Sequence, residues 1–154
     1  MTPQSLADLT RRDAVILPLE AASREAAISV LVDVLAASWT PPDLEALKAA
    51  MAAREAAGST GLGNGVAIPH ARSPRVTAPA LVVGRASRPI EFNSADGKLV
   101  SLVFLLVVPA ADPKAHLKVL AALSRIAMDK KLLRRMNKAA SPDELYQLLA
   151  EVSI

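Results

Sequence analysis

The chain holds two histidines, and one of them stands in a setting suited to group transfer. His70 closes the run Ser59-Thr60-Gly61-Leu62-Gly63-Asn64-Gly65-Val66-Ala67-Ile68-Pro69-His70, where three glycines and an asparagine precede a short apolar stretch. An imidazole is a good neutral nucleophile near pH 7. Glycines let backbone N–H groups converge on an anion without steric penalty. Together these features point to a histidine that carries a phosphoryl group, since such a transfer asks a protein mainly for positioning and charge stabilisation. Pro69 restricts its own φ and the backbone before it, which holds the ring in one direction. Ser59, Thr60, Gly61, Gly63, Asn64 and Gly65 form the candidate phosphoryl-binding loop, and the amides at Gly61, Gly63 and Gly65 are expected to lie unshielded.

Two further side chains fit the same chemistry. His116 falls in the first turns of a helix opened by Asp112-Pro113. A helix N-terminus attracts phosphate and disfavours a protonated imidazole, so a neutral His116 is expected to donate one N–H to a phosphoryl oxygen on His70. Arg54 lies near the end of the helix that leads into the glycine loop, and its planar guanidinium suits a phosphate. The bland alternatives are a surface histidine without a role and an ordinary ion pair between Arg54 and Glu55.

Other chemistries fit less well. No cysteine is present, which excludes disulfides, thiolate catalysis and cysteine-ligated metals. The two histidines have no short ligand spacing between them, so no metal is expected. Gly61-Leu62-Gly63-Asn64-Gly65 is not GxGxxG and follows a helix rather than a strand; no Walker lysine follows the glycines and no GxSxG elbow exists, so no nucleotide or other cofactor is expected. A net charge of +3 is too small to argue for nucleic acid. Lys130, Lys131, Arg134, Arg135 and Lys138 lie on two adjacent rows of one helix, either a solvated face or a docking surface for an acidic partner. No aromatic residue interleaves them, which argues against nucleic-acid binding.

The elements that must position these groups are legible in outline. With 154 residues, 52% apolar but only 3% aromatic, the chain suits one domain, residues 1–154, whose core is built from Ala, Leu, Val and Ile. Ala14 to Leu19 reads as a strand at an edge, because of Pro18. Ser23 caps a helix to about Ser38, with Ile28, Leu31, Val32 and Leu35 as its buried stripe. Thr40 as N-cap and Pro41 in the first turn start a second helix, which runs through Leu44, Leu47 and Met51 to about Ala57 and ends at Gly58. Val66 to Ile68 reads as a short strand presenting His70. Ala80 to Ala86 and Leu99 to Val108 are two more, the second apolar enough to be central and covered on both faces. A helix carrying His116, Leu117, Leu120, Leu123 and Ala127 follows. Short helices at Lys130 to Ala139 and Pro142 to Val152, the last capped by Ser141, complete the chain. This order predicts an α/β layered domain. The longest apolar stretch falls far short of the roughly 20 residues of a membrane helix. The N-terminus shows no basic region followed by an apolar segment, so a cytoplasmic protein without membrane insertion is expected.

The stretch Arg54-Glu55-Ala56-Ala57-Gly58-Ser59-Thr60-Gly61-Leu62-Gly63-Asn64-Gly65-Val66-Ala67-Ile68-Pro69-His70-Ala71 resembles the active-site signature of enzyme IIA of the fructose/mannitol type, from the bacterial phosphoenolpyruvate:sugar phosphotransferase system. The resemblance extends to Pro109-Ala110-Ala111-Asp112 and His116-Leu117, where that family has a second active-site histidine. It implies a single α/β domain with a mixed, about five-stranded sheet flanked by helices on both faces. It further implies that His70 receives a phosphoryl group from a histidine-containing phosphocarrier protein of the HPr/NPr kind, flanked by His116 and Arg54. Ala71 stands where many members have glycine. The Ser5-Leu6-Ala7-Asp8-Leu9 opening and the Ser141-Pro142-Asp143-Glu144-Leu145-Tyr146 ending resemble the nitrogen-regulatory branch. That branch implies regulation of a sensor kinase or a potassium transport protein by phosphorylation state. The alternative is a free-standing fructose/mannitol-type EIIA that passes phosphate to a sugar-transport IIB domain.

Overall fold

A computed structural model of the chain describes residues 2–39, 43–112 and 114–154. Two short 3-10 turns, Leu6–Leu9 and Arg12–Ala14, lead into β1 (Val15–Leu19). Helices α1 (Arg24–Ser38) and α2 (Leu44–Ala57) follow. Then come β2 (Gly61–Gly63), β3 (Val66–Ala67), β4 (His70–Ser73), β5 (Ala80–Ile90) and β6 (Val100–Pro109). The chain closes with α3 (Ala115–Met128), α4 (Lys130–Lys138) and α5 (Pro142–Ala150). No helix among the described residues is long and apolar enough to cross a membrane.

The sheet is mixed, in the order β1-β5-β6-β3-β2, with β4 also on β6. The long strands β5 and β6 run antiparallel, from Ala80 opposite Val107 to Arg85 opposite Leu102. β1 lies parallel to β5 at one edge, as Pro18 led one to expect. On the other side β3 and β4 both run parallel to β6, so six strand segments fill five positions. The two are one line interrupted at Ile68-Pro69. Pro69 has no N–H to give, yet its carbonyl accepts from Leu106 N at 2.9 Å, so the line continues through it.

Alternation along the strands sorts the core into two layers. Ala67, Val82, Val103, Leu105 and Val107 pack on one face against the stripe Ile28, Leu31, Val32 and Leu35 of α1 and against Leu47 and Met51 of α2. Val66, Ile68, Leu81, Val83, Leu102, Phe104 and Leu106 pack on the other against α3, α4 and α5. The single-domain α/β expectation with helices on both faces is therefore met.

Local details depart from the expectation in places. β5 continues four residues beyond Ala86, and the residues after Pro69 form a strand of their own. The expected cap Thr40 and first-turn Pro41 lie outside the described residues, as does Pro113; the helix begins at Leu44, with the Asp43 side chain accepting from Ala46 N. Gly58 does end α2, but in an extended conformation that any residue adopts. Leu117 is 59% exposed rather than part of the α3 stripe, which Val119, Ala122, Leu123, Ile126 and Ala127 supply.

Candidate functional site

The glycine-rich segment is a β-hairpin. β2 and β3 pair antiparallel around Asn64-Gly65, whose φ angles are +55° and +82°. Positive φ at both central residues is what a two-residue hairpin matched to strand twist demands, and Asn-Gly is the sequence that supplies it most readily. Gly61 answers a second demand: a Cβ there would overlap the buried Ser94 hydroxyl.

This changes the role of the loop's donors. The Ser59 hydroxyl donates to Phe92 O, and the Thr60 hydroxyl to the Glu55 carboxylate. Thr60 N donates to the same carboxylate at 3.3 Å, and Gly61 N to Ser59 Oγ at 3.0 Å. Asn64 N donates to Asp96 Oδ2 at 2.9 Å, while its side-chain amide donates to Ala127 O at 2.7 Å. The expectation of unshielded glycine amides is therefore corrected for Gly61, and the N–H groups of Thr60 and Asn64 are taken as well. These groups brace the hairpin, because a two-stranded ribbon this short is at best marginally stable on its own. Gly63 and Gly65, at φ +92° and +82°, serve the turn.

His70 opens β4, opposite Leu106 of β6, and is half-buried. Its Nδ1 lies 2.8 Å from Ile68 O. A carbonyl only accepts, so the bond requires the proton on Nδ1 and leaves a lone pair on Nε2. Alternation places His70 on the same side of the sheet as Val66 and Ile68, the side that carries α3.

His116 comes to that side from α3. The helix leaves the end of β6 and turns back across it, its last turn held by the Asn64–Ala127 bond. From Ala127 back to His116 is about 16 Å of helix. From Val66 on to His70 is about 13 Å of strand. Both histidines thus belong to the face of the sheet that carries α3, and no hydrogen bond joins them among the described residues. Nδ1 of His116 is buried without a partner among those residues. The tautomer with its proton on Nε2 leaves no buried N–H unsatisfied, so Nε2–H is the donor this ring offers.

Arg54 arrives from the opposite face. α2 packs against β4, and the Arg54 guanidinium folds back over the helix end to donate to Gly58 O at 2.8 Å. It is not paired with Glu55, the alternative considered for it. That carboxylate is 6% exposed and serves Thr60, with Arg24 Nη1 at 4.0 Å. Two acids thus hold the hairpin from either end, Glu55, expected at most to pair with Arg54, at its base and Asp96, given no role by the sequence, at its tip. The amides of Asn64 and Lys98 hold the Asp96 carboxyl below its ordinary pKa. The signal for this arrangement was Asn64-Gly65, which marks a hairpin as well as a glycine-rich loop.

Comparison with known proteins gives these features a family. Residues 8–152 match the family described as phosphoenolpyruvate-dependent sugar phosphotransferase system, EIIA 2. A fructose-specific EIIA component of the phosphotransferase system from Haloferax volcanii is 32% identical over 152 residues, covering 99% of each protein. A nitrogen regulatory protein of Escherichia coli K12 is 32% identical over 151 residues, covering 97% of this chain and 92% of that one. The crystal structure of nitrogen regulatory protein IIA-Ntr from Neisseria meningitidis superposes with a TM-score of 0.85 at 30% identity, covering 93% of this chain and 97% of that one. A match across nearly the whole length, in sequence and in fold, means that the chain belongs to the type 2 EIIA family of the phosphoenolpyruvate-dependent phosphotransferase system.

Proposed function

We propose that this protein is a phosphocarrier whose His70 accepts a phosphoryl group on Nε2 from a histidine-containing carrier protein of the HPr/NPr kind. The observation that carries the reading is the 2.8 Å contact of Nδ1 with Ile68 O, which supports a neutral ring protonated on Nδ1 with Nε2 as nucleophile. In the transfer, the Nε2 lone pair forms a bond to phosphorus while the donor N–P bond breaks in line, and that pair returns to the donor imidazole. The His70 proton stays on Nδ1, where the ring's added positive charge strengthens its bond to Ile68 O. His116 Nε2–H and the free donors of Arg54 meet the charge on the phosphoryl oxygens. The hairpin, with Ser59, Thr60, Gly61, Gly63, Asn64 and Gly65, holds this arrangement in place. The phosphoryl group adds negative charge at His70, which suits a regulator read by its partners in two states. The likeness to nitrogen regulatory proteins supports that role; we place it in the cytoplasm, with a sensor kinase or a potassium transport protein as target.

Incubation with phosphoenolpyruvate, enzyme I and the carrier is expected to yield an acid-labile, base-stable phosphoprotein bearing the Nε2 isomer of phosphohistidine. His70→Ala is expected to stay unmodified. Label on Nδ1, or full labelling of His70→Ala, overturns the assignment. A second reading, transfer onward to a sugar-transport IIB domain, is favoured by the match to a fructose-specific EIIA component along 99% of its length. Rapid loss of label to an added fructose IIB domain would select it; retention of label selects the regulatory role.

A further inference from the structure

Glu55 is the one buried carboxylate among the described residues, and its partners are unusual for its position at a helix end. Burying an ionised carboxylate is costly unless it is fully bonded. Both bonds it accepts come from a single residue, Thr60, through backbone N–H and hydroxyl. Arg24, at 4.0 Å, adds a cation from the side. An apolar residue at this position of α2 would face the same buried surroundings without that cost, so the carboxylate has a purpose beyond burial.

The bonds beyond Thr60 show the purpose. Thr60 O accepts from Ile68 N at 3.0 Å. The carbonyl of the same Ile68 accepts from His70 Nδ1 at 2.8 Å. Glu55, Thr60, Ile68 and His70 thus form one continuous series of hydrogen bonds, from the last turn of α2 to the imidazole. We infer that Glu55 is a positioning residue for His70: it clamps Thr60, which fixes Ile68 and thereby selects the ring's tautomer and direction. The inference rests on the reading of His70 as phosphoryl acceptor. It adds a residue that touches neither ring nor phosphate.

Removing the clamp frees the Thr60 carbonyl to shift, and the Ile68 peptide then holds Nδ1–H less firmly. A ring so released samples the other tautomer, in which Nε2 bears the proton and cannot attack. The cost falls on the chemical step, since the surface met by the donor protein is unchanged.

Two measurements on the full chain test this. Long-range nitrogen–proton NMR of the unphosphorylated protein reads the His70 tautomer directly. Single-turnover phosphorylation from the phosphorylated carrier, at rising carrier concentrations, separates maximal rate from half-saturation. For wild type the expectation is Nδ1–H throughout. In Glu55→Gln, with one acceptor oxygen in place of two, and in Thr60→Val, the Nε2–H tautomer is expected to appear. The maximal rate should fall about ten- to a hundredfold, with half-saturation within about twofold. Thr60→Ser, which keeps both donors, should restore wild-type behaviour. Wild-type tautomer and rate in both Glu55→Gln and Thr60→Val overturn the inference, as does an unrescued Thr60→Ser. Should Glu55→Gln fail to fold, the Thr60→Val and Thr60→Ser pair decides alone. A wild-type protein that accepts no phosphate but shows the tautomer shift in the variants removes the proposed function and leaves the positioning role standing.

Discussion

The two sides of strand β6 are built on different principles. Toward β5 lies the centre of the sheet, where every residue from Leu102 to Val107 is fully buried under helices on both faces. Toward β3 and β4 lies the histidine edge. There two-residue and four-residue strands and a glycine hairpin are held by Ser59, Thr60, Asn64, Glu55 and Asp96 through individually placed hydrogen bonds. Apolar packing is graded and tolerant of exchange, so the centre sets stability. Hydrogen bonds are directional and have no near substitutes, so the edge sets geometry. The nucleophile proposed at His70 needs the second kind of support, and that is the kind the edge supplies.

Substitutions on the two sides should separate stability from chemistry. The largest separation is expected for His70→Gln, which should abolish phosphoryl acceptance while costing only about 0.5–1.5 kcal/mol of unfolding free energy, the net worth of the bond to Ile68 O. Radiolabel from phosphoenolpyruvate and a urea titration check both halves. The converse variant is Leu105→Ala, at a site with no exposure. It should cost about 2–5 kcal/mol, yet the folded fraction should still take up label at the wild-type rate. A loss of label beyond the unfolded fraction would break the division between the two sides.

Gly65→Ala sharpens the division further. A Cβ at φ +82° forces an L-residue into the left-handed region, and it would sit 3.3 Å from Ser101 Oγ. The strain is expected to cost about 1–2 kcal/mol. Because the hairpin also braces Ile68, labelling should slow as well, unlike in Leu105→Ala. Hydrogen exchange confined to residues 61–67 would confirm that the loss is local.

The centre was the more legible side in sequence, for a physical reason. Leu99 to Val108 carries its burial in its composition, and the α1 stripe carries its own in a 3.6-residue period. The residues proposed for chemistry at the edge could be picked out too: His70, His116 and Arg54 stand out by residue type and by their places relative to glycines and helix ends. Its geometry was not. His-Ala-Arg-Ser has no β-branched residue and becomes a strand only because β6 offers four partners in register. The glycines suggested an anion cradle since isolated residues cannot reveal where their N–H groups point. Gly61 N–H is taken by the neighbouring Ser59 hydroxyl, and the acceptors that claim the donors of Ser59 and Asn64, Phe92, Asp96 and Ala127, come from distant parts of the chain. The proton on Nδ1 likewise depends on a carbonyl that only the folded backbone brings within reach.

The smallest effect concerns Asp96, which tests whether the hairpin tip belongs to the edge's polar bracing or merely rests on the surface. Its carboxyl is held below the ordinary value chiefly by the Asn64 amide, then by that of Lys98. A carboxyl depressed in the folded state stabilises fully above its unfolded pKa, about 3.9, and that contribution disappears as pH falls through the lower folded value. Asp96→Asn lacks the charge, so wild type should melt slightly higher than the variant at pH 7, and the gap should close below about pH 4. Glu25 and Glu151 are depressed in the same direction by their own partners, so raw melting curves will fall with acid in both proteins. Only the difference between wild type and variant isolates the hairpin. A gap that persists unchanged into acid would assign the Asp96 contribution to packing rather than to the bonds at the tip.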